Sequence, residues 1–461
     1  MRKLNRRQFL RSTGSAAAAA AAAGAALTPR MAFSADSYGD NILVFIFQRG
    51  GIDGLSFLAP MNGHADRGYY EALRANGTMI PSASLQSVGN GWGLHPAAAP
   101  LLDLWTNKSL AIVQAVGLLP EPNRSHFEAE RYIELGTPGN RFTTTGWLTR
   151  HLQTATNLPA SLLLPAVVTE STIRQSLLRE PSAVSLRYPQ DFDLETDQYQ
   201  GSGEYEDSQQ IALGDLYSVG SGSLDVAGHQ AVNAMAIIEA IPWSTYTPAN
   251  GATYPVQLDN PNYKTSFGEE LQIIAQLIKA DTGLRVAQTD IDGWDTHNTQ
   301  GNLPVDGWFY DQIRDMSQAL LAFFTDLDVP SPNGKTWLER TTVLVHSEFG
   351  RRAFDNADAG TDHGWGNNLL AIGGGVNGGK LYGPWPGLAP DKLYQEADIW
   401  AQTDNRTVFS ECLLKRLRNN QIGQIFPGFT AAEYQPLGVF SGSPVAPDFN
   451  DPEIIFQDGW D

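Results

Sequence analysis

Several segments of the chain are apolar without alternation. Residues 41–47 (NILVFIF) run into Gln48-Arg49-Gly50-Gly51, and residues 110–116 (LAIVQAV) and 341–346 (TTVLVH) have the same character. Residues 284–289 (LRVAQT) are a weaker case, and 369–373 (LLAIG) a shorter one. A continuous β-branched and aromatic run suits a strand buried on both faces, as in a parallel sheet. Between these runs lie helical stripes. Phe267, Leu271, Ile274, Leu277 and Ile278 share one face at a 3.6-residue period. So do Ile313, Met316, Leu320, Phe323, Phe324 and Leu327. Each stripe precedes one of the later strands. The alternation predicts an α/β fold, a mostly parallel sheet with helices on both faces.

The pattern breaks at residues 188–228. Acids there mix with Gly, Ser, Gln and Tyr, which reads as a polar surface insertion or lid rather than a core element. The stretch after Gly438 is rich in Pro and Asp and is expected to wrap the surface.

The first residues add a different signal. Arg6-Arg7 precede an apolar pair, an uncharged alanine-rich stretch from Ser12 to Pro29, and small residues near Ala32 to Ala35. The stretch is too short and too weakly apolar for a membrane span of about 20 residues. The order basic, apolar, small predicts a removable twin-arginine signal over residues 1–35. One domain over 36–461 would then lie in the periplasm or outside the cell, with no membrane anchor. The signal holds six basic residues and no acid, so its removal takes the net charge from −19 to −25. Such a chain is a poor partner for nucleic acid or anionic lipid. Cys412 is the only cysteine, so no intramolecular disulfide forms.

In open α/β sheets, ligands gather where the strands end at their carboxyl side. After the first run comes Asp53, a hard oxygen donor set between glycines. After the second comes Arg124-Ser125-His126-Phe127-Glu128, where Ser125 and Glu128 fit a capping box. A helix start also suits an anion, Ser125 is a candidate nucleophile, and Arg124 is a candidate clamp for an anionic ester. After the weaker run come Asp290, Asp292, Asp295 and His297, a carboxylate–imidazole group of the kind that binds Zn²⁺ or Mn²⁺. Glu348 ends the next run, and Asp362-His363 lie in a Gly-rich loop. His346 reads as a packed core histidine. His95 and His126 also lie near these ends and loops, whereas His64, His151 and His229 read as surface residues. The order of these groups predicts that they converge on one edge of one sheet.

Six segments carry a resemblance: RGGIDGL from Arg49, GLHPA from Gly93, PNRSHFEA from Pro122, GWDTH from Gly293, SEFGR from Ser347 and TDHGWGN from Thr361. They resemble the exported family called domain of unknown function 1501, across essentially the whole mature chain. That family resembles a branch of the alkaline phosphatase and sulfatase superfamily. The resemblance implies a three-layer sandwich with metal at the carboxyl edge of the sheet, and a Ser, Thr or modified Cys nucleophile. Carried over by position, Asp53, Asp295, His297, Glu348, Asp362 and His363 would bind metal, with Asp292 as a weaker candidate. Ser125 would be the nucleophile, and Arg124 would help hold the oxyanion. The cofactor would be one or two divalent ions: Zn, Mn, Mg or Ca. The superfamily's Asp-x-x-x-His is shortened here to Asp295-Thr296-His297, and its late Asp-His pair is replaced by Ser347-Glu348.

The expected function is hydrolysis of a small phosphate or sulfate ester. The alternative from a different class is a non-catalytic binding or assembly protein that keeps the fold. A third, a carbohydrate-active enzyme with paired carboxylates, would use tryptophans such as Trp92, Trp294 and Trp365.

Overall fold

The computed structural model describes residues 40–158, 162, 164–189, 192, 203–218, 220, 222–255, 267–301 and 307–451. The expected export signal lies outside the described residues. So do the acids of the insertion at 191, 193, 195 and 197.

The central sheet holds β1 (Ile42–Gln48), β2 (Leu110–Gly117), β3 (Ala166–Val168), β4 (Ala183–Ser185), β5 (Val286–Ile291), β6 (Thr341–Ser347), β7 (Asn367–Gly373), β8 (Lys380–Tyr382) and β9 (Thr403–Asp404). Its order is β8-β2-β7-β6-β1-β5-β3-β4, and β9 also pairs with β2. Every pairing is parallel except those of β7, which runs against β2 and β6. The register is level at the carboxyl edge. Gln48 stands beside Ile291 on one side and Ser347 on the other. Because β7 is reversed, its first residue lies at that same edge. The loops after β1, β2, β5 and β6 and the loop before β7 therefore emerge together.

Alternate side chains of a strand face opposite sides of the sheet, and β1 shows why its run is continuous. Ile42, Val44 and Ile46 pack with the helix stripes of 267–279 and 308–327. Leu43, Phe45 and Phe47 pack on the other side with Trp147, Phe409 and Phe426. Phe45 meets Phe47, Trp147 and Phe409 edge-on at 5.6–5.9 Å. Each fully buried side chain of this kind contributes about 1.5–3 kcal/mol.

Among the described residues seven helices have eight residues or more: α1 (His126–Leu135), α2 (Trp147–Thr154), α3 (Gly203–Tyr217), α4 (Ser223–Glu239), α5 (Phe267–Lys279), α6 (Trp308–Leu327) and α7 (Asn405–Cys412). None is long and apolar enough to cross a membrane. Within the expected insertion, residues 203–217 form α3 and 223–228 begin α4. Farther along α4, beyond the insertion, Ala234 and Ile238 join the core. After Gly438, Val439 and Phe440 are buried in the core, and the residues from Ser441 on run over the surface as expected: Val445 donates to the Leu414 carbonyl and Asp448 to that of Asn420.

Two further readings change. His151 is buried and held by Asn419, with Nδ2 3.1 Å from its Nδ1. His64 is half-buried against Trp92, at 4.7 Å between rings. His346 is a core histidine as expected: it is buried on β6, and neither ring nitrogen has a hydrogen-bond partner.

Candidate metal centre

The loops at the carboxyl edge are tied to one another before any functional group is considered. Gly50 follows β1 with φ +115°, and a Cβ there would lie 2.5 Å from the Asp295 backbone nitrogen. Only glycine lets the two loops approach so closely. Arg351, fully buried, acts as the fastener. Its Nε donates to the Gly51 carbonyl at 2.6 Å and its Nη1 to the Thr361 carbonyl at 2.8 Å. Its Nη2 donates to the carbonyls of Gly50 and Trp294 and to Asp295 Oδ1 at 2.7 Å. Backbone bonds complete the zip: Gly364 donates to Gly350, Arg352 to Asp362, and Thr361 to Thr296.

His126, Asp295 and His363 bring ligand atoms within 4.8 Å of one another on this frame, and His297 joins them through Asp295 and His363. Asp295 Oδ1 lies 3.1 Å from His363 Nε2, 3.2 Å from His297 Nε2 and 3.5 Å from His126 Nε2. His297 Nε2 and His363 Nε2 are 2.8 Å apart. For comparison, tetrahedral zinc with bonds of 2.0–2.1 Å sets its ligands roughly 3.3 Å apart. The cluster is partly open to solvent.

The opposite nitrogen of each ring is fixed. His126 Nδ1 lies 2.6 Å from Glu348 Oε1, His297 Nδ1 3.0 Å from Asp362 Oδ1, and His363 Nδ1 2.8 Å from the Arg124 carbonyl. Carboxylates and carbonyls only accept, so each Nδ1 carries the hydrogen. Each Nε2 then turns a lone pair toward the centre, and His126 Nε2 has no hydrogen-bond partner. Two lone pairs facing at 2.8 Å repel unless a positive charge stands with them. The donor set therefore fits a cation, and the Nδ1 contacts match the outer shell that orients metal-binding histidines.

The electrostatics agree. Asp295, Glu348 and Asp362 are the carboxylates here; Arg351 bonds Asp295, and Arg352 adds positive charge near Asp362. Burial works against charge on Asp295, but the Arg351 guanidinium bonded to it holds its pKa down to about 2. The Glu348 hydrogen bond raises that of His126, through the same contact that fixes its Nδ1. Burial lowers that of His363.

Several expected ligands stand elsewhere. Asp53 is fully buried and joined to Arg74, with Oδ1 2.9 Å from Nη2 and Oδ2 bonded to Nη1. Burial would raise its pKa, yet Arg74, Gln300 and Ser56 hold it at about 2. Both its oxygens are thus committed to a structural ion pair outside the cluster. Glu348 and Asp362 contact Nδ1 atoms and orient rings. Asp292 shows no contact with the cluster; burial raises its pKa. Arg124 contributes its carbonyl, while its Nε pairs with Asp398 at 2.9 Å instead of standing free for an oxyanion. Ser125 is the N-cap of α1 and exposed, but its hydroxyl makes no capping bond. Glu128 meets Asn123 and Arg141 instead of completing the box. Trp92, Trp294 and Trp365 are all buried and offer no open ring to a sugar.

His126 and Arg351 had been given no role from sequence. His126 was hidden by the cap signal of Ser125, and only its position right after a strand-to-helix turn marks it. A second grouping, His126 with Glu130 and Glu348, lies within 4.8 Å. It is the poorer site, because Glu130 is paired with Arg49 at 2.7 Å and Glu348 Oε1 also accepts from the Gly50 nitrogen at 2.7 Å.

No curated protein matches the chain. The matched family segment contains Asp295, His297, Glu348, Arg351, Asp362 and His363, whereas Asp53 and the turn of Arg124 to His126 precede it. Residues 248–417 match the model of a family described as Protein of unknown function (DUF1501), and that match supports membership of the chain in this family.

Proposed function

We propose that the chain is a metal-dependent hydrolase of phosphate or sulfate esters, built on an alkaline phosphatase-like sheet. The observation that carries this reading is the convergence of His126, His297 and His363 Nε2 on Asp295 Oδ1. Three imidazoles and one carboxylate suit zinc or manganese better than magnesium or calcium, which prefer oxygen. A divalent ion held there would supply Lewis-acid stabilisation of charge developing on an ester oxygen.

The chain's own groups set the rest. Ser125 stands at the exposed turn beside His126 with its hydroxyl unbonded, and we assign it as the nucleophile. The free N–H groups at the start of α1 open at the same turn and favour an anionic group. Glu348, Asp362 and the Arg124 carbonyl hold the three rings in one tautomer. Arg351 holds Asp295 and three of the loops, so little reorganisation is needed on binding. That preorganisation is what electrostatic catalysis requires.

The test is hydrolysis of p-nitrophenyl phosphate and p-nitrophenyl sulfate by the zinc- or manganese-loaded chain, with EDTA controls. Ser125→Ala should abolish turnover and keep bound metal. Full turnover by that variant would reject the serine, and no hydrolysis across both ester classes would reject the reading. We also propose export by the twin-arginine route, supported by Arg6-Arg7 and the alanine stretch that follows. Lysine at both positions should keep the chain in the cytoplasm; unchanged export would refute it.

A further inference from the structure

We propose that Trp400, Tyr394 and Gln395 form a sugar subsite beside the centre, so that the ester acted on belongs to a phosphorylated or sulfated saccharide. The ester part of this statement rests on the hydrolase reading above; the sugar part does not.

A short hairpin, Leu393–Tyr394 paired with Asp398–Ile399, builds the subsite. Its tip holds Gln395 and Glu396 at φ 52° and 56°. Two successive non-glycine residues in the left-handed region carry strain that surrounding structure must hold in place. The hold is visible on the side facing the centre. Asp398 accepts from Arg124 Nε at 2.9 Å, and Gln395 Oε1 accepts from Arg124 Nη2 at 3.4 Å. The carbonyl of the same Arg124 orients His363 at 2.8 Å. One residue therefore links the hairpin to the imidazole cluster.

The aromatic side is equally fixed. Trp365, two residues after His363, is buried and donates Nε1 to the Leu118 carbonyl at 2.7 Å. Tyr394 stands edge-on to Trp365 at 4.8 Å and to Trp400 at 5.3 Å. Trp400 completes the corner, 6.2 Å from Trp365, and leaves 43% of its surface exposed.

The open indole of Trp400 follows the hairpin, and Gln395 at its tip meets the part-exposed Arg124 guanidinium, so the hairpin offers both an apolar face and polar groups. A pyranose matches it: the ring C–H face lies on the electron-rich indole, and the hydroxyls at its rim meet Gln395 and Arg124. An aryl group would cover the same ring but leave those polar groups without new partners. The sugar is therefore the better occupant.

The test uses the full chain, stripped with EDTA and separately loaded with zinc. The probes are neutral cellobiose, lactose and N,N′-diacetylchitobiose, with benzyl alcohol as the aryl competitor, read by saturation-transfer NMR. The expected result is transfer to the ring C–H protons of at least one disaccharide, with or without metal. Trp400→Ala should weaken it about five-fold or more, and Gln395→Ala should weaken it too, with urea midpoints unchanged. No transfer to any disaccharide, full transfer in Trp400→Ala, or transfer to benzyl alcohol alone would overturn the proposal. The probes carry no ester, so a chain without hydrolase activity still gives the signal. A hydrolase that ignores sugars fails only this test.

Discussion

Replacing His346 by leucine should make the protein more resistant to acid, by an amount the structure fixes. The imidazole sits on β6 in the sheet interior, without a partner for either nitrogen and with Phe409 5.9 Å away. Burial pushes its pKa down to about 3. The unfolded chain keeps a value near 6.5. A folded value below the unfolded one means that the unfolded state takes up the proton first. Stability is therefore intact above about pH 6.5 and is lost as pH falls below it. Between pH 7 and pH 5 the loss from this one residue is about 2 kcal/mol. The figure is insensitive to the folded value, because any folded pKa below about 4 leaves the native ring neutral at pH 5. Leucine removes the titration and also the unmet polar atoms. Urea denaturation of both proteins at pH 7 and pH 5, followed by tryptophan fluorescence, measures the difference directly. The advantage of the His346→Leu variant over the parent should grow by about 2 kcal/mol on acidification. An advantage that is the same at both pH values would refute the buried, neutral assignment.

Other substitutions separate structural from metal-binding roles. Asp53→Asn leaves Arg74 buried without its partner and should cost about 3–5 kcal/mol of stability. It should leave metal content unchanged, and loss of the ion from a folded variant would restore Asp53 as a ligand. Glu348→Ala removes the acceptor of His126 Nδ1 and should weaken metal binding about 10–100-fold. Glu348→Gln, which can still accept that hydrogen, should recover most of it; equal loss in both would contradict an orienting role. Arg351→Lys offers three rotating donors in place of a planar fork and should cost about 3 kcal/mol, read as a shift in urea midpoint. A midpoint within error of the parent would show that the loops are held by other means.

Much of the fold was legible because the central strands are buried on both faces. That leaves continuous apolar runs at β1, β2 and β6, and full stripes on α5 and α6. Strands of two or three residues, such as β3, β4, β8 and β9, are too short to carry a pattern. The reversal of β7 has no sequence signal, since an apolar run reads alike in both directions. Of the cluster, Asp295, His297 and His363 stood out as acid–imidazole pairs in Gly-rich loops. Their roles relative to Glu348 and Asp362 depend on which ring nitrogen faces which group, and spacing does not encode that. Asp53 looked like a free oxygen donor because its partner, Arg74, lies 21 residues away with nothing between to mark the pairing. Arg351 went unassigned for the same reason: it binds backbone carbonyls, which every residue has.

The most direct measurement is elemental analysis of the purified full chain after exposure to zinc, manganese, magnesium and calcium and removal of free ions. The wild type should retain about one zinc or manganese per chain, held at the His126, Asp295 and His363 grouping beside His297. His363→Ala combined with Asp295→Ala should lose it while keeping the same far-ultraviolet circular dichroism. A folded wild type that retains no divalent ion, or a double variant that retains as much as the parent, would contradict the metal centre.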